Sequence, residues 1–128
     1  MLYIIATPIG NMGDISQRAV ETLKNVDFVA AEDTRVGGKL LMLLGIKKPL
    51  VSYYEHNKTY KGDEIIKRIQ GGETCGLITD AGTPAVSDPG SDLVAECHEK
   101  GIKVVPIPGC CAAVTAVSVS GLMNKKFI

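Results

Sequence analysis

The segment "TDAGTPAVSDPG" (residues 79–90) combines an acidic side chain with a tight turn, as a ligand-binding loop would. Asp80 follows an apolar run, and its carboxylate, which only accepts hydrogen bonds, could hold hydroxyl or ammonium groups. Gly82 and Pro84 favour a tight turn that lets a ligand approach the backbone closely. We therefore predict a binding role for the stretch from Asp80 to Ser87, with Gly82, Thr83 and Val86 inside it.

Two other segments carry residue types suited to chemistry, "EDTR" (32–35) and "YYEHN" (53–57). The planar fork of Arg35 suits a phosphate or a carboxylate, although an ion pair with Asp33 or a helix cap by Thr34 is an equally good interpretation. His56 could act as a base or serve as a structural hydrogen-bonding group. The tyrosines beside it would suit a stacked nucleobase. The predicted catalytic residues are Asp33, Arg35 and His56.

Two glycine-containing segments complete the set of candidates. "TPIGNMGD" (7–14) has a glycine-rich turn after Pro8 but lacks the GxGxxG spacing, so it is a poor match for a dinucleotide-binding loop. "PGCCAA" (108–113) brings Gly109 and small side chains to the start of a predicted helix. Free backbone amides at that helix start could meet a carboxylate or an adenine edge.

Five strand-loop-helix units position these segments. Apolar, β-branched runs at 2–7, 27–32, 49–54, 74–79 and 103–107 predict strands, and helix-period segments follow each of them. Asp14 and Gln17 resemble a capping box for the first helix, whose apolar face holds Ile15, Ala19, Leu23 and Val26. The second helix is predicted over 36–45. Asp88 is predicted to cap the fourth helix with Pro89 as its first residue, and the fifth is predicted over 111–121.

The predicted fold class is α/β, a five-stranded parallel sheet sandwiched by helices. Loops that lead from helix to strand are short, such as "GGE" and "GIK", whereas loops from strand to helix carry all the chemically suited residues. In open α/β sheets, ligands bind outside the carboxyl ends of the strands. The site is therefore predicted at that one edge of the sheet.

Composition restricts the class of protein further. The formal charge is zero, with 14 basic and 14 acidic residues, which argues against tight nucleic-acid binding by these residues alone. The four cysteines, at 75, 97, 110 and 111, form no CxxC pair, so we expect reduced thiols and no metal site. No apolar run is long enough for a membrane span and "MLYIIATPIG" is not a signal peptide, so we expect a cytoplasmic protein without membrane contact.

Five ordered motifs give the chain a resemblance to a known family. "ATPIGNMGDISQRAVETL", "AAEDTR", "YYEHN", "LITDAGTPAVSDPG" and "VVPIPGCCAA" resemble the N-terminal half of the family of ribosomal RNA small subunit methyltransferase I. That family belongs to the tetrapyrrole-methylase-like class of S-adenosylmethionine-dependent methyltransferases. The resemblance runs from residue 2 to about residue 122, and "EDTR" and "DAGTP…SDPG" separate this branch from the porphyrin-modifying branch.

The resemblance implies a cofactor, S-adenosylmethionine, held in a cleft between two α/β domains. It implies methyl transfer to the 2′-oxygen of a cytidine ribose in small-subunit (16S) rRNA, and a homodimer. By motif position, the cofactor-binding residues it implies lie in three loops: Pro8 in the first, Asp80, Gly82, Thr83, Val86 and Ser87 in the fourth, and Gly109, Cys111 and Ala112 in the fifth. The first loop is expected to face the cleft and substrate more than the cofactor. Cys110 and Cys111 depart from the Pro-Ser common in the family, which removes a hydroxyl contact.

Several points stay open on the sequence. Glu32, Asp33 and His56 are all possible general bases, and Arg35 or Lys58 could position RNA phosphate. We expect an N-terminal domain over 1–122, the start of a linker at 123–128, and no methyl transfer by these residues alone. The alternatives are a tetrapyrrole or other small-molecule methyltransferase on the same fold, and a non-catalytic docking or dimerisation module.

Overall fold

The computed structural model describes residues 1–86 and 89–122, which form an α/β sandwich. The strands are β1 (Leu2–Ile5), β2 (Phe28–Ala31), β3 (Leu50–Ser52), β4 (Cys75–Ile78) and β5 (Val104–Ile107). The helices are α1 (Gln17–Asn25), α2 (Thr34–Leu43), α3 (Lys58–Gln70), α4 (Gly90–Glu99) and α5 (Ala112–Ser120), with a 3-10 turn at Met12–Asp14. The five strands are all parallel, in the order β3-β2-β4-β1-β5.

The strand order determines which face of the sheet each helix covers. The chain moves one way along the sheet from β1 to β2 to β3, then the other way from β3 to β4 to β5. Because crossovers between parallel strands are right-handed, the two directions place their helices on opposite faces. Accordingly, α1 and α2 pack with one buried cluster, around Leu23, Leu41 and Ile78, and α3 and α4 pack with another, around Phe28, Ile65 and Leu93.

The edge strand β5 and the last helix are only partly covered by the rest of the described structure. Pro106 is exposed in β5, where an edge strand tolerates a residue without a backbone N–H. None of the residues of α5 is buried, and Val119 and Leu122 are 83% and 88% exposed. The described structure thus leaves an apolar helix in contact with solvent next to the carboxyl end of β5.

The predicted fold class is confirmed, but several helix starts differ from the sequence prediction. Asp14 does not cap α1: it lies in the 3-10 turn, and Ser16 is the cap, with its Oγ accepting from the Ala19 amide at 3.0 Å. Asn11 causes the difference because its side chain accepts from the Gly13 amide and starts the 3-10 turn first. Of the apolar face predicted for α1, Ala19, Leu23 and Val26 are buried, whereas Ile15 precedes the helix and is only partly buried.

The other boundary differences are small. α2 begins at Thr34 and is capped by Asp33 rather than by Thr34, and it ends at Leu43 rather than at residue 45. α4 begins at Gly90, with Pro89 before its first residue rather than at it. The proposed capping residue Asp88 and the predicted linker at 123–128 lie outside the described residues, so the domain division at 122 stays a prediction.

Candidate functional site

Hydrogen bonds between loops tie the first, fourth and fifth strand ends together. The Thr7 amide donates to the Gly82 carbonyl at 2.9 Å, and the Gly82 amide donates back to the Thr7 carbonyl at 3.0 Å. The Thr83 hydroxyl donates to the Cys110 carbonyl at 2.7 Å. Gly82 has a φ of +83°, which glycine adopts without strain, and this turns the loop toward both partners. The loop after β4 is therefore held between the loops after β1 and β5.

The topology makes a crevice at this edge of the sheet. β4 lies between β1 and β2, and the helix that follows β4 packs on the face opposite to the helices that follow its two neighbours. Loops that diverge to opposite faces leave a crevice at the carboxyl ends of the strands, where ligands bind in open α/β sheets. Residues 79–86 follow β4 directly and so begin at that edge.

One pocket, which we call the α5 pocket, gathers most of the predicted cofactor-binding residues. It has a volume of about 380 Å³. Its lining combines the loop after β4, the start of α5 and the end of β2: Glu32, Thr79, Ala81, Gly82, Thr83, Val86, Cys111, Ala112 and Ala113. Five of the predicted residues, Gly82, Thr83, Val86, Cys111 and Ala112, are thus brought together, while Ser87 lies outside the described residues.

Pro8 and Asp80 line a second pocket instead, which we call the α2 pocket. It has a volume of about 200 Å³ between the first loop and α2. Besides Pro8 and Asp80, its lining consists of Thr7, Gly10, Asn11, Met12, Val36, Gly37, Lys39, Leu40, Leu43 and Thr79. The structure therefore separates Pro8 and Asp80 from the five predicted residues of the α5 pocket.

Gly109 lines neither pocket, but close packing explains why no side chain stands there. A Cβ on Gly109 would lie 2.9 Å from the Ala6 Cβ, closer than real Cβ contacts come. Gly109 therefore lets the chain leave β5 next to the end of β1. Its predicted contact with the cofactor stays a prediction.

Asp33 and Arg35 form the ion pair that was one of the two interpretations of "EDTR". The Arg35 guanidinium donates to both Asp33 oxygens at 3.2 and 3.1 Å, and the Arg35 amide donates to one of them at 2.9 Å. Hydrogen bonds from the Arg35 side chain, then from its backbone, lower the pKa of Asp33 below its ordinary value. A carboxylate with both oxygens engaged and a lowered pKa is a weak proton acceptor.

Both residues line a third, open pocket of about 400 Å³, which we call the Arg35 pocket. The end of β3 contributes Ser52 and Tyr54 to it, and Asp80 lies on its other side. His56 is exposed, touches Tyr54 edge-on with a ring-centroid distance of 6.2 Å, and is not part of the lining of these three pockets. The structure therefore brings Asp33 and Arg35 to the site edge and leaves His56 beside it.

Lys58, the other residue considered for RNA phosphate, is engaged by two carboxylates. Its ammonium lies 2.6 Å from Asp92 and 3.0 Å from Glu55. Hydrogen bonds to Asp92 and then to Glu55 raise the pKa of Lys58. Arg35 is also paired, with Asp33, but its side chain is 90% exposed whereas that of Lys58 is 31% exposed, so Arg35 is the better candidate of the two.

Three residues stand where the three pockets meet, and two of them had no role in the sequence prediction of binding. Thr79 lines the α2 and α5 pockets, Asp80 the α2 and Arg35 pockets, and Glu32 the α5 and Arg35 pockets. The Thr79 hydroxyl donates to Glu32 Oε2 at 3.1 Å. Thr79 reads as the last residue of a strand in the sequence, and Glu32 was considered only as a possible base. Their meeting depends on β2 and β4 being neighbours.

In the parts of the chain that the structure describes, 1–86 and 89–122, no group of three or more His, Cys, Asp and Glu could hold a metal ion. None of the helices in these ranges is long and apolar enough to cross a membrane.

The fold and the loops at its carboxyl edge define a methylase domain. The chain belongs to the family of Tetrapyrrole (Corrin/Porphyrin) Methylases, which it matches over residues 1–126. Curated relatives carry the name ribosomal RNA small subunit methyltransferase I. The relative from Haemophilus influenzae is 52% identical over 99% of this chain, the one from Synechocystis 50% over 100%, and the one from Escherichia coli O157:H7 50% over 98%.

This chain spans about half the length of the relatives it matches. The shares of the Haemophilus, Synechocystis and Escherichia proteins that are covered are 45%, 46% and 44%. More than half of each relative therefore lies outside the matched segment. The predicted resemblance to this family is confirmed.

Solved structures share the fold at lower identity. Uroporphyrin-III-C-methyltransferase from Thermus thermophilus has a TM-score of 0.71 and 23% identity, over 98% of this chain and 53% of its own. A diphthine synthase has a TM-score of 0.74 and 20% identity, over 95% of this chain and 49% of its own. These similarities concern the fold alone.

Proposed function

We propose that these residues form the N-terminal domain of an S-adenosylmethionine-dependent methyltransferase that modifies small-subunit ribosomal RNA. The observation that carries the proposal is the identity of about 50%, over nearly the whole chain, to relatives named for that reaction. The acceptor that the motifs imply is the 2′-oxygen of a cytidine ribose. The three pockets adjoin through shared lining residues, which supports a reaction between two ligands bound in neighbouring pockets.

The α5 pocket fits the cofactor in size and in the groups it presents. Its volume of about 380 Å³ falls within the roughly 300–1,000 Å³ typical of small-molecule sites. The first-turn amides of α5 have no partner within the helix and can donate to a ligand carboxylate or adenine edge. When bound, S-adenosylmethionine supplies a methyl group made electrophilic by its sulfonium.

The residues of this chain then position the two ligands. Gly82 and Thr83 hold the backbone that forms one side of the α5 pocket, through their hydrogen bonds to Thr7 and Cys110. Arg35 is 90% exposed at the rim, and the guanidinium N–H groups that do not bind Asp33 can donate to an RNA phosphate. Alignment of the ribose oxygen with the methyl carbon supplies most of the acceleration.

Glu32 is the best-placed acceptor for the ribose proton. It lines both the α5 pocket and the Arg35 pocket, and one of its oxygens accepts from Thr79. Both oxygens of Asp33 are engaged by Arg35, and His56 lies outside the three linings. In this scheme the Glu32 carboxylate would take the proton of the ribose hydroxyl, while bound S-adenosylmethionine would give up its methyl group to the ribose oxygen and leave as S-adenosylhomocysteine. Glu32→Gln keeps the size of the side chain but cannot take up the proton, so it should lower kcat for methyl transfer.

Methyl transfer from tritiated S-adenosylmethionine to small ribosomal subunits tests the function. We call the product of the complete reading frame that encodes these residues the complete protein. It should label rRNA, and nuclease digestion should release 2′-O-methylcytidine. The 128 residues alone should transfer nothing, because relatives use more than twice this length. Labelling by the 128 residues would refute the second expectation, and no labelling by the complete protein would refute the function.

The family to which the chain belongs suggests one alternative substrate, a tetrapyrrole. The match to tetrapyrrole methylases and the fold shared with a porphyrin-modifying enzyme favour testing a tetrapyrrole acceptor in the same assay. We expect transfer to ribosomal subunits only. Transfer to the tetrapyrrole would instead assign these residues to the small-molecule branch, and a flat calorimetric titration of the complete protein with cofactor would favour a docking module.

We also propose that the complete protein is a cytoplasmic homodimer. The apolar residues of α5 that contact solvent, Val114 and Val119, support burial of this helix in a larger assembly. Light scattering after gel filtration should give twice the chain mass. Cell fractionation should recover the protein with ribosomes, and a monomer or a membrane fraction would contradict these two statements.

A further inference from the structure

The α2 pocket is too small for the cofactor but suits one ring. Its volume of about 200 Å³ is below the roughly 300–1,000 Å³ of sites for drug-sized ligands. It shares Thr79 with the α5 pocket, so a ligand in one lies directly beside a ligand in the other. A group attached to a ring in the α2 pocket would therefore reach the wall between the two pockets.

One side of the α2 pocket is an apolar stripe that the fold leaves in contact with solvent. Val36, Leu40 and Leu43 are spaced i, i+4, i+7, so they lie on one face of α2. Val36 is 41% exposed and Leu43 59% exposed, whereas Gly37 and Leu41 of the same helix are buried against the sheet. Such a stripe suits the flat, weakly polar face of a nucleobase.

Besides the hydroxyls of Thr7 and Thr79, which donate to oxygens of the protein, the polar side chains in the lining offer one acceptor and two donors. Asp80 has a carboxylate, which only accepts. The Asn11 Oδ1 accepts from the Gly13 amide at 2.9 Å, so its side-chain NH₂ is the group available to a ligand. Lys39 adds an ammonium donor. The Watson–Crick edge of cytosine has the matching pattern, an amino donor at N4 and acceptors at N3 and O2, whereas uracil reverses the first two positions.

We propose that the α2 pocket takes the cytosine base of the target nucleotide after it leaves the RNA stack. Asp80 accepts from the N4 amino group, and Asn11 and Lys39 donate to the N3 and O2 side. Enzymes that do chemistry on a base hold the extruded base in such a pocket, and here the pocket would hold the base while its ribose reacts. The inference rests on the proposed function, and it adds a set of residues that select cytidine over uridine.

A bulky residue in the stripe tests whether the pocket is used. Val36→Trp fills the α2 pocket from an exposed position, and Met42→Trp is the matched control, since Met42 is 70% exposed on the same helix outside this lining. In the complete protein, V36W should lower kcat/KM for ribosomal subunits at least tenfold while the calorimetric Kd for S-adenosylmethionine changes less than twofold. M42W should match the wild type. Full activity of a folded V36W would overturn the proposal.

Base selection is tested with subunits that carry uridine in place of the target cytidine. The wild type should prefer cytidine, and Asp80→Asn, whose amide can also donate, should reduce the ratio of kcat/KM values about tenfold. Both RNAs are compared at saturating cofactor, so an effect of the substitution on cofactor binding changes both kcat/KM values equally and cancels in their ratio. An unchanged ratio, or a wild type without preference, would overturn the proposal. Failure of the proposed function would give a different result from failure of this inference, because the wild type would then methylate neither RNA.

Discussion

The position of Gly82 yields the sharpest prediction about the α5 pocket. Its φ of +83° is in the left-handed region, so alanine there is strained by roughly 1–2 kcal/mol. A Cβ would also lie 3.3 Å from the Ile9 Cγ2, and that side chain must move. The two hydrogen bonds with Thr7 would lengthen as the loop shifts, and each is worth about 0.5–1.5 kcal/mol.

A matched variant separates backbone strain from damage to the site. Gly101 ends α4 with a φ of +70°, and a Cβ there would meet nothing within 4 Å. Gly101→Ala should lower the free energy of unfolding by about 1 kcal/mol, because the backbone strain is partly offset by the conformational entropy that alanine removes from the unfolded chain. Gly82→Ala should cost about 2–3 kcal/mol, because strain, contact and weakened hydrogen bonds add.

Urea denaturation of the 128 residues measures the free energies of unfolding, and calorimetry of the complete protein measures cofactor binding. G82A should weaken S-adenosylmethionine binding about tenfold, which corresponds to about 1.4 kcal/mol, and G101A should leave it unchanged. Equal Kd values for G82A and wild type would refute the assignment of this loop to the cofactor. Equal losses of stability in G82A and G101A would refute the role given to the Thr7 hydrogen bonds.

Three other predictions concern the thiols, a carboxyl group and a cation. Cys75 and Cys97 are buried, which raises their pKa values to about 12 and about 11. Only Cys110 and Cys111 should therefore react with Ellman's reagent in the folded chain. In the complete protein, bound cofactor should slow the reaction of Cys111. Burial, and then Asp63, raise the pKa of Glu96, so the ionised carboxylate destabilises the folded chain. The folded chain is free of this cost below the ordinary pKa of 4.5 and loses that stability as the pH rises. Glu96→Gln should therefore raise the urea midpoint at pH 7 but not below about pH 4.5. Arg68 lies 3.7 Å above the Phe28 ring and 2.8 Å from Glu73, so Arg68→Ala should lower the unfolding free energy by about 1–2 kcal/mol, and Lys should restore only part of it.

Local patterns in the sequence were enough for the fold class and for the edge that carries the site. Alternating apolar runs and helix periods predicted five units, and the unequal loops predicted the carboxyl edge, because parallel strands share one direction. The start of α1 was wrong because Asp14 and Ser16 are both good caps, and the choice depends on the turn that Asn11 begins. Residue type alone cannot rank two such neighbours.

The separation of Asp80 from the α5 pocket could not be predicted, because it depends on strand order. The sequence places Asp80 only two residues before Gly82, so one role for the whole loop was the natural prediction. The structure places β4 between β1 and β2, and the chain from Thr79 to Gly82 passes across the crevice between them. Neighbours along the chain therefore line different pockets. Periodicity carries no information about which strands become neighbours.

This strand order also provides a physical reason for combining two ligands at one edge. Transfer of a methyl group requires the donor and the acceptor to bind in adjoining pockets, close enough for their reacting atoms to touch. In the proposed reaction, the residues between the two ligands are Thr79 and Asp80 at the end of β4 and Glu32 at the end of β2, and Thr79 donates a hydrogen bond to Glu32. Thr79→Val should therefore change methyl transfer more than either binding constant, because it frees the Glu32 carboxylate without filling either pocket. Equal losses in binding and turnover would instead mean that Thr79 only supports the shape of the loop.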